Sequence, residues 1–159
     1  MQQTAGDGSA NVQICFESRL EHIGLAGTAI NAMCLARGAD PETAGAIELA
    51  LVEVATNTVE HAYHGIAHGL VRIRVRFTDG RVDVEVSDAG DALPLERLAM
   101  AELPPINPDN VADLPEGGFG LALVCMIADS VEASTEEGWN YFRFSRKLAR
   151  REPPSQEAG

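Results

Sequence analysis

The spacing of hydrophobic and polar residues changes several times along the chain, and each change predicts a different element. Apolar and polar residues alternate over residues 12–17, which predicts a strand with one buried face. Apolar residues then recur at intervals of three and four over residues 20–35, which predicts a helix that ends at Gly38. The chain is therefore expected to begin with a strand and an amphipathic helix.

A second helix is predicted over residues 41–63, because Asp40 can cap its N-terminus and an apolar stripe of helical period follows. Glu53, Asn57 and His61 lie one turn apart on a flank of that stripe. The helix thus presents a carboxylate, a carboxamide and an imidazole in a row. Taken alone, this stretch is more typical of an ordinary, partly exposed helix face than of a functional site.

Residues 69–87 have the pattern of two strands joined by a two-residue turn at Asp79 and Gly80. The register of this turn places apolar residues opposite each other on one face and arginines opposite acids on the other. The predicted pairs are Phe77 with Val82, Val75 with Val84, Arg76 with Asp83 and Arg74 with Glu85. Because the arginines face carboxylates, the stripe is more typical of a solvated face than of a nucleic-acid site.

The C-terminal part of the chain predicts another helix and another hairpin. Residues 121–128 have helical period, and residues 131–144 alternate about a turn at Glu137 and Gly138. The predicted pairs are Ala133 with Phe142, Val131 with Phe144 and Glu132 with Arg143. This hairpin, like the first, has one apolar face.

The elements predict an α+β fold. One apolar face on each hairpin and one apolar stripe on each helix favour a two-layer α/β sandwich, with helices on one face of a mixed, mostly antiparallel sheet. We expect a mobile N-terminus over residues 1–10, one domain over residues 11–148, a lid within it over about residues 91–117, and a disordered tail over residues 149–159.

Composition and charge narrow the range of possible functions. The 159 residues, 45% hydrophobic and 23% charged, are expected to form one globular domain. The net charge of -12 disfavours direct binding to nucleic acid or anionic membranes and favours basic protein partners. With no signal-peptide pattern and no membrane-spanning apolar run, a cytoplasmic location is expected. Cys15, Cys34 and Cys125 are expected to be buried thiols in a reducing compartment.

Three separated segments contain residues that suit a nucleotide: Glu53 with Asn57, residues 87–91 after a strand, and residues 117–121 before a helix. Glycines before a helix let backbone N–H groups approach a phosphate, and the helix N-terminus adds partial positive charge. Such glycines are more often only a loop, so this segment carries weight only together with the other two.

The side chains in these segments have complementary chemistry. Asp88, at a strand end, can accept a hydrogen bond from an exocyclic amine such as that of adenine, and Gly90 leaves room for a flat base against the backbone. The amide oxygen of Asn57 suits Mg²⁺. Glu53 is placed to accept a proton from a hydroxyl group or water that attacks a terminal phosphate.

The order E-V-A-T-N (53–57), D-A-G (88–90) and G-G-F-G-L (117–121), with a proline-rich lid between the last two, resembles the N, G1 and G2 boxes of the gyrase, Hsp90, histidine kinase and MutL ATP-binding fold. Within that superfamily, the runs T-N-T-V-E-H-A-Y and G-F-G-L-A-L-V-C-M-I-A-D-S-V are similar to the anti-sigma-factor serine kinases. The resemblance covers about residues 10–148.

This resemblance implies a protein that binds Mg-ATP, sequesters a sigma factor and phosphorylates a serine of an anti-sigma-factor antagonist of the STAS type. It implies that Glu53 is the catalytic base, Asn57 the Mg²⁺ ligand and Asp88 the adenine-reading residue. It also suggests a homodimer. The residues predicted to bind the nucleotide are Asn57, Asp88, Gly90, Gly117, Gly118, Phe119 and Gly120.

Two departures from the family pattern keep a second function open. Ala92 stands where the first box often has another glycine, and no Lys or Arg occurs between Met100 and Phe119. Phosphoryl transfer usually needs a cation near the transferred group, so Arg97 or a partner's arginine would have to serve. The alternatives are therefore a protein serine kinase and a nucleotide-gated binding module with little or no phosphotransfer activity.

A metal site is a further alternative, because His61, His64 and His68 are close in sequence. Zinc is disfavoured, since no Cys or acidic residue completes a set of ligands. We expect His61 instead to line the nucleotide pocket or pack at its rim.

Overall fold

The computed structural model describes residues 9–92 and 119–149. Residues 1–8 of the predicted N-terminus, most of the predicted lid with Arg97, the tail after residue 149, and Gly117 and Gly118 lie outside these ranges. Ala10, predicted as part of the mobile N-terminus, belongs to the first strand. The elements are strand β1 (Ala10–Glu17), helices α1 (Leu20–Ala36) and α2 (Pro41–Asn57), a π-helical turn (Thr58–Ala62), strands β2 (Leu70–Thr78) and β3 (Arg81–Asp88), helix α3 (Phe119–Ile127), and strands β4 (Ser130–Glu136) and β5 (Trp139–Lys147).

The five described strands form one sheet in the order β1-β2-β3-β5-β4. All four neighbouring pairs are antiparallel, so the described sheet contains no parallel pair of the kind a mixed sheet would have. Every residue pair predicted for the two hairpins is confirmed. Glu137 and Gly138 have φ values of 52° and 80°, the left-handed conformation that a two-residue hairpin turn matching the twist of the strands requires.

Helices α1, α2 and α3 pack on the apolar face of the sheet, as the two-layer prediction requires. Helix α2 begins where predicted, because Asp40 Oδ1 accepts a hydrogen bond from the backbone N–H of Thr43 at 2.8 Å. The largest fully buried side chains come from both layers; they include Phe77, Phe144, Ile30, Ile47, Leu51 and Ile73. None of the helices among the described residues is long and apolar enough to span a membrane.

The opposite face of the sheet carries the predicted charges. Glu85 is bonded to Arg143 at 2.8 Å and lies 3.5 Å from Arg74, its predicted cross-strand partner. Asp83 stands opposite Arg76 but forms its ion pair with Arg81, at 2.9 Å. Both acidic residues of β3 on this face are thus paired with arginines of the sheet.

The expectation that all three cysteines are buried is wrong for two of them. Cys34 is buried in the core, and burial raises its pKa to about 11, so it is a neutral thiol at physiological pH. Cys15 and Cys125 are exposed. Cys15 lies between Ile14 and Phe16, which turn toward the core, so the alternation of the strand directs Cys15 to the other face.

The crossing of α1 and α2 depends on a residue without a side chain. A Cβ atom at Gly27 would lie 2.9 Å from Val52 Cγ2, whereas a Cβ atom at Gly24 in the same helix would meet nothing within 4 Å.

We expect Gly24→Ala to raise the free energy of unfolding by about 0.5–1 kcal/mol through helix propensity. Gly27→Ala should lower it by about 1 kcal/mol or more through overpacking. Urea denaturation followed by circular dichroism measures both, and equal effects would contradict this account of the crossing.

Candidate functional site

A cavity of about 300 Å³ lies beside the C-terminal half of α2, between the start of α3 and the ends of β3, β4 and β5. Asn57 and Asp88, which are distant in sequence, both line it. His61 lines it as well, as expected, and Ala92 lies at its edge near the end of the described segment. Leu121 of the third predicted segment also lines it, so the structure brings residues of all three predicted segments to one cavity.

The third segment meets the helix flank beside the cavity. A Cβ atom at Gly120 would overlap the Glu53 carboxylate and lie 3.5 Å from Asn57 Nδ2. Glu53 and Phe119 are not among the described residues that line the cavity, although Phe119 begins α3 as predicted. The absence of a side chain at Gly120 is what lets α3 start against the carboxylate and the carboxamide.

Asp88 is a carboxylate held almost entirely out of water. It is 6% exposed, and its Oδ1 accepts hydrogen bonds from the backbone N–H of Gly90 at 2.9 Å and from Asn140 Nδ2 at 2.8 Å. Burial raises the pKa of Asp88, and these two hydrogen bonds offset part of that increase. Both of these bonds go to Oδ1. Oδ2 is therefore the oxygen left to accept a hydrogen bond from a ligand in the cavity.

Asn140 is a site residue that sequence reasoning missed. It stands directly opposite Asp88 in the pairing of β3 with β5. Its Nδ2 also lies 3.0 Å from the Gly90 carbonyl oxygen, and its Oδ1 accepts a hydrogen bond from Thr135 at 2.9 Å. The only sequence signal would have been the pairing of two strands separated by the lid, which no local pattern reveals.

Gly90 has a packing role that the sequence analysis did not anticipate. A Cβ atom at this position would overlap the backbone carbonyl of Ala62, and the neighbouring Asp91 N–H donates to that carbonyl at 2.9 Å. Gly90 itself does not line the cavity, whereas Asp91 does. Its predicted contact with a base stays a prediction, and its direct effect here is to let the loop after β3 close onto the end of the helix.

Helix α2 continues beyond Asn57 as the π-helical turn, which exposes new positions to the cavity. Thr58, His61 and Ala62 of this turn line the cavity, and the Tyr63 N–H donates to the Thr58 carbonyl at 3.1 Å. Such π-helical insertions in α-helices occur frequently at functional sites. The turn brings the end of the helix to the loop after β3.

Of the three histidines, His64 contacts an acidic side chain of the loop after β3. His64 Nε2 lies 2.7 Å from Asp91 Oδ2, and His64 has a φ of 51°. Within residues 9–92 and 119–149, no group of three or more His, Cys, Asp or Glu side chains is arranged to hold a metal ion. Asn57 lines the cavity, and the role of its amide oxygen as a Mg²⁺ ligand stays a prediction.

Comparison with known sequences decides the family. Residues 16–145 match the family described as the histidine kinase-like ATPase domain. The chain belongs to this family. The predicted membership in the ATPase superfamily is therefore confirmed.

Curated relatives of this ATPase domain have kinase names. The chain is 27% identical over 128 residues to serine-protein kinase RsbW of Oceanobacillus iheyensis, covering 80% of each chain. It is 29% identical over 119 residues to serine-protein kinase RsbW of Bacillus subtilis, covering 74% of each. These names agree with the predicted resemblance to serine kinases.

Solved structures with this fold support the predicted fold class. The RsbU and RsbW domains of a Mycobacterium tuberculosis protein match with a TM-score of 0.63 at 17% identity, over 89% of this chain and 33% of that one. A chain of the SiaB–SiaC complex from Pseudomonas aeruginosa matches with a TM-score of 0.52 at 16% identity, over 83% and 88% of the two chains. At these identities the likeness concerns the fold.

Replacing Asp88 by Asn should separate stability from nucleotide binding in this ATPase domain. The native state binds a proton at Asp88 more tightly than the unfolded chain does, so the contribution of Asp88 to stability declines as pH rises through its raised pKa. We therefore expect Asp88→Asn to melt at the same or a higher temperature at pH 7. The Asn oxygen would keep the two bonds of Oδ1, leaving an NH₂ donor in place of Oδ2, and ATP affinity should fall by at least about tenfold.

Calorimetry of ATP binding and thermal melting measure the two effects. Asp83→Asn is the matched control, because Asp83 lies on the opposite face of the sheet with Arg81. The control should leave ATP affinity unchanged. Unchanged ATP affinity in Asp88→Asn would show that Asp88 does not contact the base.

Proposed function

We propose that this chain is an ATP-dependent protein serine kinase that binds and phosphorylates a protein regulator. The observation that carries the proposal is the convergence of Glu53, Asn57 and Gly120 beside the cavity that contains Asp88. The serine-protein kinase names of relatives that share most of the chain support the same activity.

The residues present fit ATP and Mg²⁺. Asp88 offers a buried acceptor for the adenine amine, and the cavity has the size of a small-molecule site. Asn57 is the residue that would coordinate Mg²⁺ through its amide oxygen. When bound, the metal ion would offset negative charge on the transferred phosphoryl group. Gly120, with the predicted glycines at 117 and 118, would form the phosphate-binding segment at the start of α3.

Glu53 is the proposed general base. As the serine oxygen of the protein substrate forms its bond to the γ-phosphorus, the Glu53 carboxylate takes the serine proton, and the bond from phosphorus to the bridging oxygen breaks to release ADP. The position of Glu53 beside the cavity, against Gly120, suits a group that contacts the attacking hydroxyl instead of the nucleotide base.

By family resemblance, the proposed partners are a sigma factor and its anti-sigma-factor antagonist. The net charge of -12 supports association with partners that present basic surfaces. A homodimer and a cytoplasmic location stay predictions.

One observation favours the second candidate function, a nucleotide-gated binding module. None of the described residues that line the cavity is Lys or Arg. A cation at the transferred phosphoryl group can increase the rate by about three to five orders of magnitude, so a site that recruits none would bind ATP yet transfer phosphate slowly.

Phosphotransfer to an antagonist distinguishes the two functions. We expect γ-labelled ATP to label a serine of the antagonist, and Glu53→Gln to lose the label while it keeps ATP affinity within about twofold, because the base acts on the hydroxyl group. Glu42→Gln is a matched control on the exposed first turn of α2. No label with the wild-type protein and its cognate antagonist, despite ATP binding, would favour the binding module.

Asn57→Ala tests the metal site independently of phosphotransfer. If Asn57 coordinates Mg²⁺, addition of Mg²⁺ should strengthen ATP binding to the wild-type protein and have little effect on the variant, a difference of at least about tenfold. Asn11→Ala, on the exposed edge strand β1, is the matched control. The magnesium role of Asn57 is wrong if the Mg²⁺ dependence of ATP affinity survives in Asn57→Ala.

A further inference from the structure

Tyr63 joins the end of the helix to the loop that follows Asp88. Its hydroxyl group accepts a hydrogen bond from the backbone N–H of Ala89 at 2.9 Å. The same hydroxyl group donates to the Leu70 carbonyl oxygen, at the start of β2, at 2.8 Å. One side chain thus connects the π-helical turn, strand β2 and the residue next to the buried carboxylate.

The position of the Tyr63 ring is closely fixed. A Cβ atom at Gly69 would overlap three ring atoms of Tyr63, so the ring lies directly on the backbone before β2. Burial raises the pKa of Tyr63, which keeps the proton that the hydroxyl group donates to Leu70. The oxygen therefore retains its lone pairs for the Ala89 N–H.

The loop after β3 is attached to the end of the helix at two points. Ala89 is bonded to the Tyr63 hydroxyl group, and the Asp91 N–H donates to the Ala62 carbonyl oxygen at 2.9 Å. Between these points, Gly90 donates its N–H to Asp88 Oδ1. A shift of the helix end would move the donor that fixes Asp88, so the direction of the free carboxylate oxygen depends on this attachment.

We propose that Tyr63 is a positioning residue for recognition of the 6-amino group of adenine, acting through Ala89 and Gly90 on the Asp88 carboxylate. This role rests on the proposed nucleotide-binding function. Tyr63 does not line the cavity among the described residues, so it acts on the nucleotide only through the loop. Its hydroxyl group makes base selectivity depend on the same helix that carries Glu53 and Asn57.

The test compares affinities for ATP and for purine riboside 5′-triphosphate, which lacks the 6-amino group. The wild-type protein should prefer ATP by about tenfold or more, as expected for a hydrogen bond to a carboxylate. Tyr63→Phe keeps the ring but removes the acceptor for Ala89. We expect this variant to lower the preference for ATP by about three- to tenfold, through weaker ATP binding, with little change in affinity for the analogue.

A second variant and a control make the outcome decisive. Gly69→Ala displaces the Tyr63 ring while retaining its hydroxyl group, and it should lower the preference in the same direction. Ile30→Val, in the core of α1, should lower the melting temperature without changing the preference.

The possible results separate two failures. If neither Tyr63→Phe nor Gly69→Ala changes the preference for ATP, the positioning role is wrong, whatever the melting temperatures of the two variants. A wild-type protein that binds both triphosphates equally would instead overturn the assignment of Asp88 in the proposed function. If Tyr63→Phe does not fold, the result for Gly69→Ala decides.

Discussion

The site depends on a buried carboxylate whose supporting bonds come from distant parts of the chain. Removing Asp88 from water carries a free-energy cost that hydrogen bonds to the charged form reduce. One bond comes from Asn140, which only the pairing of β3 with β5 brings opposite, and the other comes from the local turn at Gly90. The antiparallel sheet thereby supplies more than a scaffold, because its register determines which oxygen of Asp88 is left for a ligand.

The distribution of charge limits how so acidic a chain can accommodate an anionic nucleotide. The arginines at 74, 81 and 143 are paired with carboxylates on the face of the sheet that the helices leave uncovered. They are therefore unavailable to the cavity, whose described lining contains no Lys or Arg. Compensation for triphosphate charge would have to come from a metal ion, from backbone N–H groups at the start of α3, from Arg97, which lies outside the described residues, or from a partner. This dependence makes metal binding central to the proposed activity.

Much of the fold follows from local patterns in the sequence. Both hairpin registers were predictable because a two-residue turn fixes the pairing and a one-residue shift would turn every apolar side chain to the wrong face. Helix α2 was predictable from its cap, its first-turn proline and its apolar stripe. The glycines and acids of the site were recognised as a set only through their order along the chain. The burial of Cys15 was misjudged because neighbouring apolar residues were counted without the alternation of the strand.

The contacts that hold the site together were beyond prediction because each joins segments without a shared local pattern. Asn140 and Thr135 belong to a hairpin that follows the lid. Tyr63 has no local sequence feature that distinguishes it from other aromatic residues near the end of a helix. The roles of Gly69, Gly90 and Gly120 are likewise visible only from what a Cβ atom at each would meet. A glycine in a motif invites a ligand-binding explanation, yet each of these three permits close contact between protein segments.

One helix, with its π-helical extension, carries the groups proposed for both ends of the nucleotide. Glu53 and Asn57 lie on α2, and Tyr63 follows the π-helical turn, roughly 15 Å further along the axis from Glu53. The α-helical part fixes Glu53 and Asn57 one turn apart, and the π-helical turn, a common site of helix bending, separates them from Tyr63. Close contacts at Gly90 and Gly120 hold the loop after β3 and the start of α3 against this element. In the proposed function, the residues that act at the phosphates and the residue that positions the adenine-binding loop therefore follow one another along a single element.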